Sequence, residues 1–317
     1  MSKPSNLLVK QSRHLFDDQE QREKFINALI TPQVYHPCII WCRPKPLLIP
    51  FSTIPRTTWQ PTFVERLAQD EKPGQTSLHK EGYFYCLDFS SVFAASVLLA
   101  VSEQVDLVLD VCAAPGGKSI FAWNALNPQL LLSNEVIGKR TGMLIANLKR
   151  CQISPSVVLS LDSQVLGQLI PHCIQVVIVD APCSGQSLLA KGKKADGCFH
   201  PVNINKNANR QKRILANSAQ TVSPQGYLAY MTCTYSSEEN EGVSEWFFKK
   251  FPYFQPLIIP YLSNYQSHLT SLPCYRIWPQ SNLGAGAFTI LFKNMEEGKE
   301  NSLPSRFLEN PKFTLIE

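Results

Sequence analysis

Two cysteines stand directly after apolar runs. Asp180-Ala181-Pro182-Cys183-Ser184-Gly185 follows Val176-Val177-Ile178-Val179, and Thr232-Cys233-Thr234-Tyr235 follows Tyr227-Leu228-Ala229-Tyr230-Met231. A thiol attacks as its thiolate, so a cysteine leaving a strand end beside a lysine or a helix N-terminus is a candidate covalent catalyst. Lys118 can supply the positive charge. Ser236-Ser237-Glu238-Glu239 carries the S-x-x-E pattern of a helix capping box, which gives the turn after Cys233 a defined shape. The residues alone leave open which of Cys183 and Cys233 attacks.

A third stretch, Asp110-Val111-Cys112-Ala113-Ala114-Pro115-Gly116-Gly117-Lys118-Ser119, follows Leu107-Val108-Leu109 and reads as strand, tight glycine turn and helix. Such a turn lets a ligand approach bare backbone amides, while Asp110 is placed to accept from a polar ligand group. Gly117-Lys118-Ser119 also matches the tail of the phosphate-loop pattern, but Cys112 stands where its first glycine belongs. That disfavours a nucleoside triphosphate and an NTPase. Glu135, 18 positions after the turn, suits a carboxylate that grips both ribose hydroxyls, and Asp162 at the next strand end is placed to reach an adenine edge. The set favours an adenosine cofactor, and S-adenosylmethionine over ATP.

The elements that must hold these residues follow from periodicity. Apolar stretches at 107–112, 130–135, 157–162, 176–180, 227–233 and 288–292 alternate with helix-length segments, which predicts a parallel sheet covered on both faces. The expected fold class is α/β, a Rossmann-like sheet with a small N-terminal accessory subdomain. Residues 1 to about 30 read as helical, and the proline-rich region to residue 80 as short strands and ordered loops. Residues 81–293 then form the catalytic domain, and 294–317 a polar tail that is an appendage.

The net charge of +5 is compatible with an anionic partner. Lys191, Lys193, Lys194, Arg210 and Arg213 concentrate it beside a single acid, Asp196, and form a candidate phosphate-tracking patch on which Phe199 and His200 are placed to contact bases. No apolar run reaches a membrane span of roughly 18 to 20 residues, and acids near the N-terminus argue against a targeting peptide, so a cytoplasmic monomer is expected. Ten scattered cysteines lack the spacing of a disulfide scaffold, and Cys38 and Cys42 lack a second ligand pair, so no metal is expected.

The three motifs in this order resemble the RNA cytosine-C5 methyltransferase family, the Nop/Sun or RsmB/RsmF-like group. The resemblance covers roughly residues 80–293 and includes Glu239-Asn240-Glu241 and Arg276-Ile277-Trp278-Pro279. It implies S-adenosylmethionine held by Cys112, Ala113, Ala114, Pro115, Gly116, Gly117 and Lys118 together with Glu135, Arg140, Asp162 and Asp180. It implies Cys233 as the attacking thiolate, Cys183 as the residue that assists release, and Asp180 and Lys118 as groups that stabilise the activated base. The substrate implied is an unpaired or flipped cytidine of rRNA or tRNA. Glu135 stands where the family usually carries Asp, and Trp41-Cys42-Arg43-Pro44-Lys45 where an Arg-x-Asn strand is usual. The alternative is an RNA-binding or ribosome-assembly factor that keeps the fold without the activity, against which the two intact cysteines count.

Overall fold

The computed structural model describes residues 3–31 and 33–317. Two helices open the chain, α1 (Asn6–Leu15) and α2 (Gln19–Ile30), each begun by a side chain that accepts a free backbone N–H: Ser5 from Leu8 and Asp18 from Gln21. The Asp18 cap breaks what the sequence suggests as one helical stretch. Leu8, Leu15, Phe25 and Leu29 pack with Phe199 and Tyr235, so both helices lie against the segments that flank the two motif cysteines.

The proline-rich region forms β1 (Cys38–Trp41) and β2 (Val64–Arg66), followed by α3 (Ser77–Lys80) and β3 (Phe84–Leu87). These strands make an antiparallel sheet in the order β2-β1-β3, which therefore reaches past residue 80. Gly82, at φ +79°, ties it to the larger domain: a Cβ there would stand 1.6 Å from the Arg150 carbonyl oxygen.

Helix α4 (Phe89–Ala95), capped by Asp88, leads into the large sheet. In order follow β4 (Leu107–Asp110), α5 (Gly117–Leu126), β5 (Leu130–Asn134), α6 (Gly138–Arg150), β6 (Ser156–Leu159), α7 (Ser163–Leu169), β7 (Ile174–Asp180), α8 (Ser187–Ala190), α9 (Pro201–Ala219) and β8 (Val222–Thr232). The chain ends with α10 (Glu241–Lys250), β9 (Phe254–Pro256), β10 (Tyr275–Ile277), β11 (Ala287–Asn294) and β12 (Thr314–Ile316). The strand order is β10-β11-β8-β7-β4-β5-β6-β12, with β9 beside β11.

Five neighbours from β8 to β6 are parallel, and β9 to β12 add antiparallel edges. This is the Rossmann-like α/β class read from the sequence, except that 288–292, expected in the parallel sheet, lies in β11 and runs antiparallel to β8. Both faces are covered, because alternate residues of each strand enter different cores: Val108, Leu131 and Val176 one, Leu109, Leu132 and Val177 the other. The winding reverses at β4, whose neighbours are β5 and β7, and crevices for ligands form outside the strand ends at such a point.

The tail differs from expectation. Residues 314–316 pair antiparallel with 156–158 of β6, and Phe307 and Ile316 are buried. It is not an appendage, because an open β6 edge would leave its backbone groups unpaired.

Candidate active site

The glycine turn starts from a buried acid. Asp110 accepts from Ser119 Oγ at 2.8 Å and from the Cys112 N–H at 3.3 Å, and it is fully buried. Burial pushes its carboxyl up to about 7. Asp110 therefore shapes the turn and offers no ligand contact, unlike the role its strand-end position suggests. Gly116 takes φ +116°, a region costly for residues with a Cβ, and lets α5 begin at Gly117.

That start places Lys118 beside the next strand. Lys118, 8% exposed, donates to Asp180 Oδ2 at 2.9 Å. Burial pulls the ammonium down, but the Asp180 carboxylate outweighs it, and the lysine stays charged. Cys112, also from the turn, is different: burial raises its thiol far above the ordinary range and leaves it inert.

The two motif cysteines come from β7 and β8, which are hydrogen-bonded neighbours. Their Sγ atoms lie 3.3 Å apart, and Cys233 is exposed while Cys183 is partly buried. Contact with Cys183 lowers the Cys233 pKa; burial and Asp180 oppose this, and the Ser187 hydroxyl and Lys118 support it. The same contact, with burial, holds Cys183 well above its ordinary value. The contact lets the two thiols share a proton, with either sulfur able to donate. Ser184 Oγ and Thr234 Oγ1, 2.7 Å apart, zip the two loops together beside it.

A cavity of about 490 Å³ opens alongside, lined by Cys112, Glu135, Arg140, Asp162, Arg210 and Arg213. Glu135 is held by the Ile137 N–H at 2.9 Å and by Arg140 at 3.2 Å, and Arg140 also donates to the Ala114 carbonyl. Asp162 caps α7 by accepting the Gln164 N–H at 2.9 Å. Ala113 and Ala114 are buried behind the turn.

The basic segment is divided rather than continuous. Arg210 and Arg213, one turn apart on α9, face the cavity. Lys191 pairs with Asp88 at 2.9 Å and fastens its loop to the α4 cap. Lys193 and Lys194 remain exposed, whereas Phe199 is buried against the N-terminal helices and is not free to stack on a base. A run of charges does not reveal which helix face each one shares.

With this geometry in place, the comparisons with known proteins are specific. The sequence model described as 16S rRNA methyltransferase RsmB/F matches residues 96–293, more than half of the chain. The chain belongs to this family. It is 33% identical over 192 residues to ribosomal RNA small subunit methyltransferase F of Klebsiella pneumoniae, covering 60% of the chain and 40% of that protein. The Pectobacterium carotovorum protein of the same description is 32% identical over 185 residues, covering 58% and 38%. The chain thus spans about two fifths of the length of these curated relatives.

The fold extends further than the sequence match. A methyltransferase homolog protein from Pyrococcus horikoshii superimposes with a TM-score of 0.73 at 20% identity, covering 92% of this chain and 95% of that one. NSun6 from the same organism, solved with SFG, gives 0.72 at 17%, covering 92% and 99%.

Within this RsmB/F-type site, Ser187 and Gln211 escaped the sequence reading, and Glu239 was read there only as part of a capping box and of a family motif. The Ser187 N–H donates to the Cys233 carbonyl at 3.3 Å. Glu239 and Gln211 meet behind Cys183, where Gln211 Nε2 donates to Glu239 Oε2 at 2.9 Å. The S-x-x-E pattern pointed at Glu239 for another reason, and only half of that capping box forms. Ser236 Oγ accepts the Glu239 N–H at 3.3 Å, but α10 starts later, at Glu241, and the Glu239 carboxylate turns to the Ser184 N–H.

Proposed function

We propose that this chain transfers a methyl group from S-adenosylmethionine to C5 of cytosine in RNA. The observation that carries the reading is the thiol pair 3.3 Å apart, with Lys118 held on Asp180 close enough to act on Cys233. The donor set of the adjoining cavity fits the cofactor. Glu135 offers carboxylate oxygens to a ribose diol, Asp162 lies at the neighbouring strand end for a base amine, and Cys112 brings the glycine turn to the cavity edge. Bound there, the cofactor supplies an electrophilic methyl group.

The chain's own residues do the rest. C5 of cytosine is a poor nucleophile until the Cys233 thiolate adds to C6 and loads electron density onto C5. Lys118 and Asp180 hold the polar edge of the activated base, by N3 and the exocyclic amine. After methylation a base takes the C5 proton, the C5–H electron pair forms the C5=C6 double bond, and the C6–S bond breaks to release Cys233 as thiolate, with Cys183 assisting that stage. The base must leave its stack to reach the thiol, so the target is an unpaired or flipped cytidine.

Small-subunit rRNA is the first candidate substrate, because the relatives carry that description, and tRNA the second. Lys193 and Lys194 are the cations best placed to track RNA phosphates, and residues 1–80 are the proposed RNA-positioning region. Ten free cysteines support work in a reducing compartment such as the cytoplasm. Among the described residues no helix is long and apolar enough to cross a membrane.

Bisulfite mapping of rRNA and tRNA with and without the protein tests this directly. One or a few cytosines should lose C5 methylation in its absence; an unchanged map contradicts the activity. Cys233→Ala should slow methylation by roughly 10³-fold or more, and Cys183→Ala should accumulate a covalent protein–RNA adduct on denaturing gels. The opposite pattern would exchange the roles of the two cysteines.

A further inference from the structure

Cys183 is fixed on both sides of its backbone by two side chains that the proposed reaction does not use. Glu239 Oε2 accepts the Ser184 N–H at 2.9 Å. Gln211 Nε2 donates to that same oxygen at 2.9 Å and to the Pro182 carbonyl at 3.0 Å. Both side chains are fully buried, at 0% exposure. Yet Glu239 Oε1 and Gln211 Oε1 are each buried without a hydrogen-bond partner.

The partners that are made define where a proton must be. Turning the Gln211 amide over would set its oxygen against the Pro182 carbonyl and Glu239 Oε2, three acceptors with no hydrogen between them, so its orientation is forced. Oε2 of Glu239 already accepts two N–H groups, which leaves Oε1 as the only place for a proton. A neutral carboxylic acid and a primary amide close a two-bond ring: the amide N–H meets the acid carbonyl, and the acid O–H meets the amide carbonyl. That ring uses both orphaned oxygens, whereas a carboxylate leaves both unpaired.

We propose that Glu239 is held as a neutral acid closed on Gln211 in such a ring, and that this pair is the clamp that sets Cys183 against Cys233. Burial raises the Glu239 pKa and outweighs the hydrogen bonds from Ser184 and Gln211 that favour the carboxylate; the charge of Glu238 adds a smaller push upward. A neutral clamp also spares the pocket a further anion beside the Cys233 thiolate and Asp180. The consequence for release rests on the function proposed above; the ring itself does not.

The infrared difference spectrum of wild type minus Glu239→Gln, recorded near neutral pH without RNA, reads the proton. A protonated carboxyl band is expected, and the difference isolates Glu239 from Asp110. Carboxylate bands in its place overturn the ring. On RNA that the wild type methylates, Glu239→Ala and Gln211→Met should retain the first methyl transfer but accumulate covalent adduct, lowering steady-state turnover about tenfold. Glu239→Gln, which rebuilds the ring as an amide pair, should recover most of that loss. Adduct trapping by Glu239→Gln equal to that of Glu239→Ala overturns the neutral acid, and wild-type turnover by both ring-breaking variants overturns the clamp. Should the wild type methylate no RNA, the infrared arm still decides the ring.

Discussion

At neutral pH a thiol attacks only where its surroundings favour the thiolate, and Cys233 has three such neighbours: Cys183, Ser187 and Lys118. Removing the lysine takes away a cation and leaves Asp180 facing the sulfur without its partner. In wild type, alkylation of Cys233, followed at its own peptide by mass spectrometry, should reach half its maximum below the ordinary thiol value of 9.0. In Lys118→Met the curve should move to higher pH, on the order of one unit. An unmoved midpoint would show that Cys183 and Ser187 suffice. Lys118, Asp180 and both cysteines were readable in the chain because each adjoins a distinctive motif. That Cys183 and Cys233 meet was not, since it depends on a 3.3 Å contact between residues fifty positions apart.

The loop after Cys233 is held by elements rather than by its own sequence. Asn240 accepts from Thr232 Oγ1 and donates to the Thr234 carbonyl, closing a loop around the cysteine. Behind it Arg276 of β10 forms a buried bidentate pair with Glu241 of α10 and donates to the Tyr235 carbonyl at 3.0 Å. Breaking a buried pair from one side strands a charge, so Arg276→Met should destabilise the fold by about 3–5 kcal/mol in urea unfolding. A loss below about 1 kcal/mol would mean that Glu241 finds another partner or a proton. Helix α9 shows how a sequence patch divides: its existence was legible from the apolar spacing, but the facing of Arg210 and Arg213 toward the cavity was set by how the helix packs over β7 and β8.

At the scale of the molecule, the sheet closes with a strand that no pattern announced. Three residues, Thr314–Ile316, give too short a run for alternation to show, and they form a strand because β6 offers an unpaired edge. Deleting residues 311–317 should lower the midpoint of thermal unfolding and promote aggregation through the bared edge. Light scattering below the unfolding transition checks this, and an unchanged aggregation onset would show that the edge is protected without β12.

The division between sequence and structure follows from distance along the chain. Local signals, namely apolar runs, the glycine turn and three short motifs, determined the α/β class, the six main strands and the residues worth suspecting, since each depends on neighbours a few positions away. Only the tertiary structure decided that Asp110 is sealed inside, that Lys191 is bound to Asp88, and that Glu239 and Gln211 grip the Cys183 loop. Those outcomes depend on burial and on partners 28 to more than 100 positions away, quantities that no local pattern encodes.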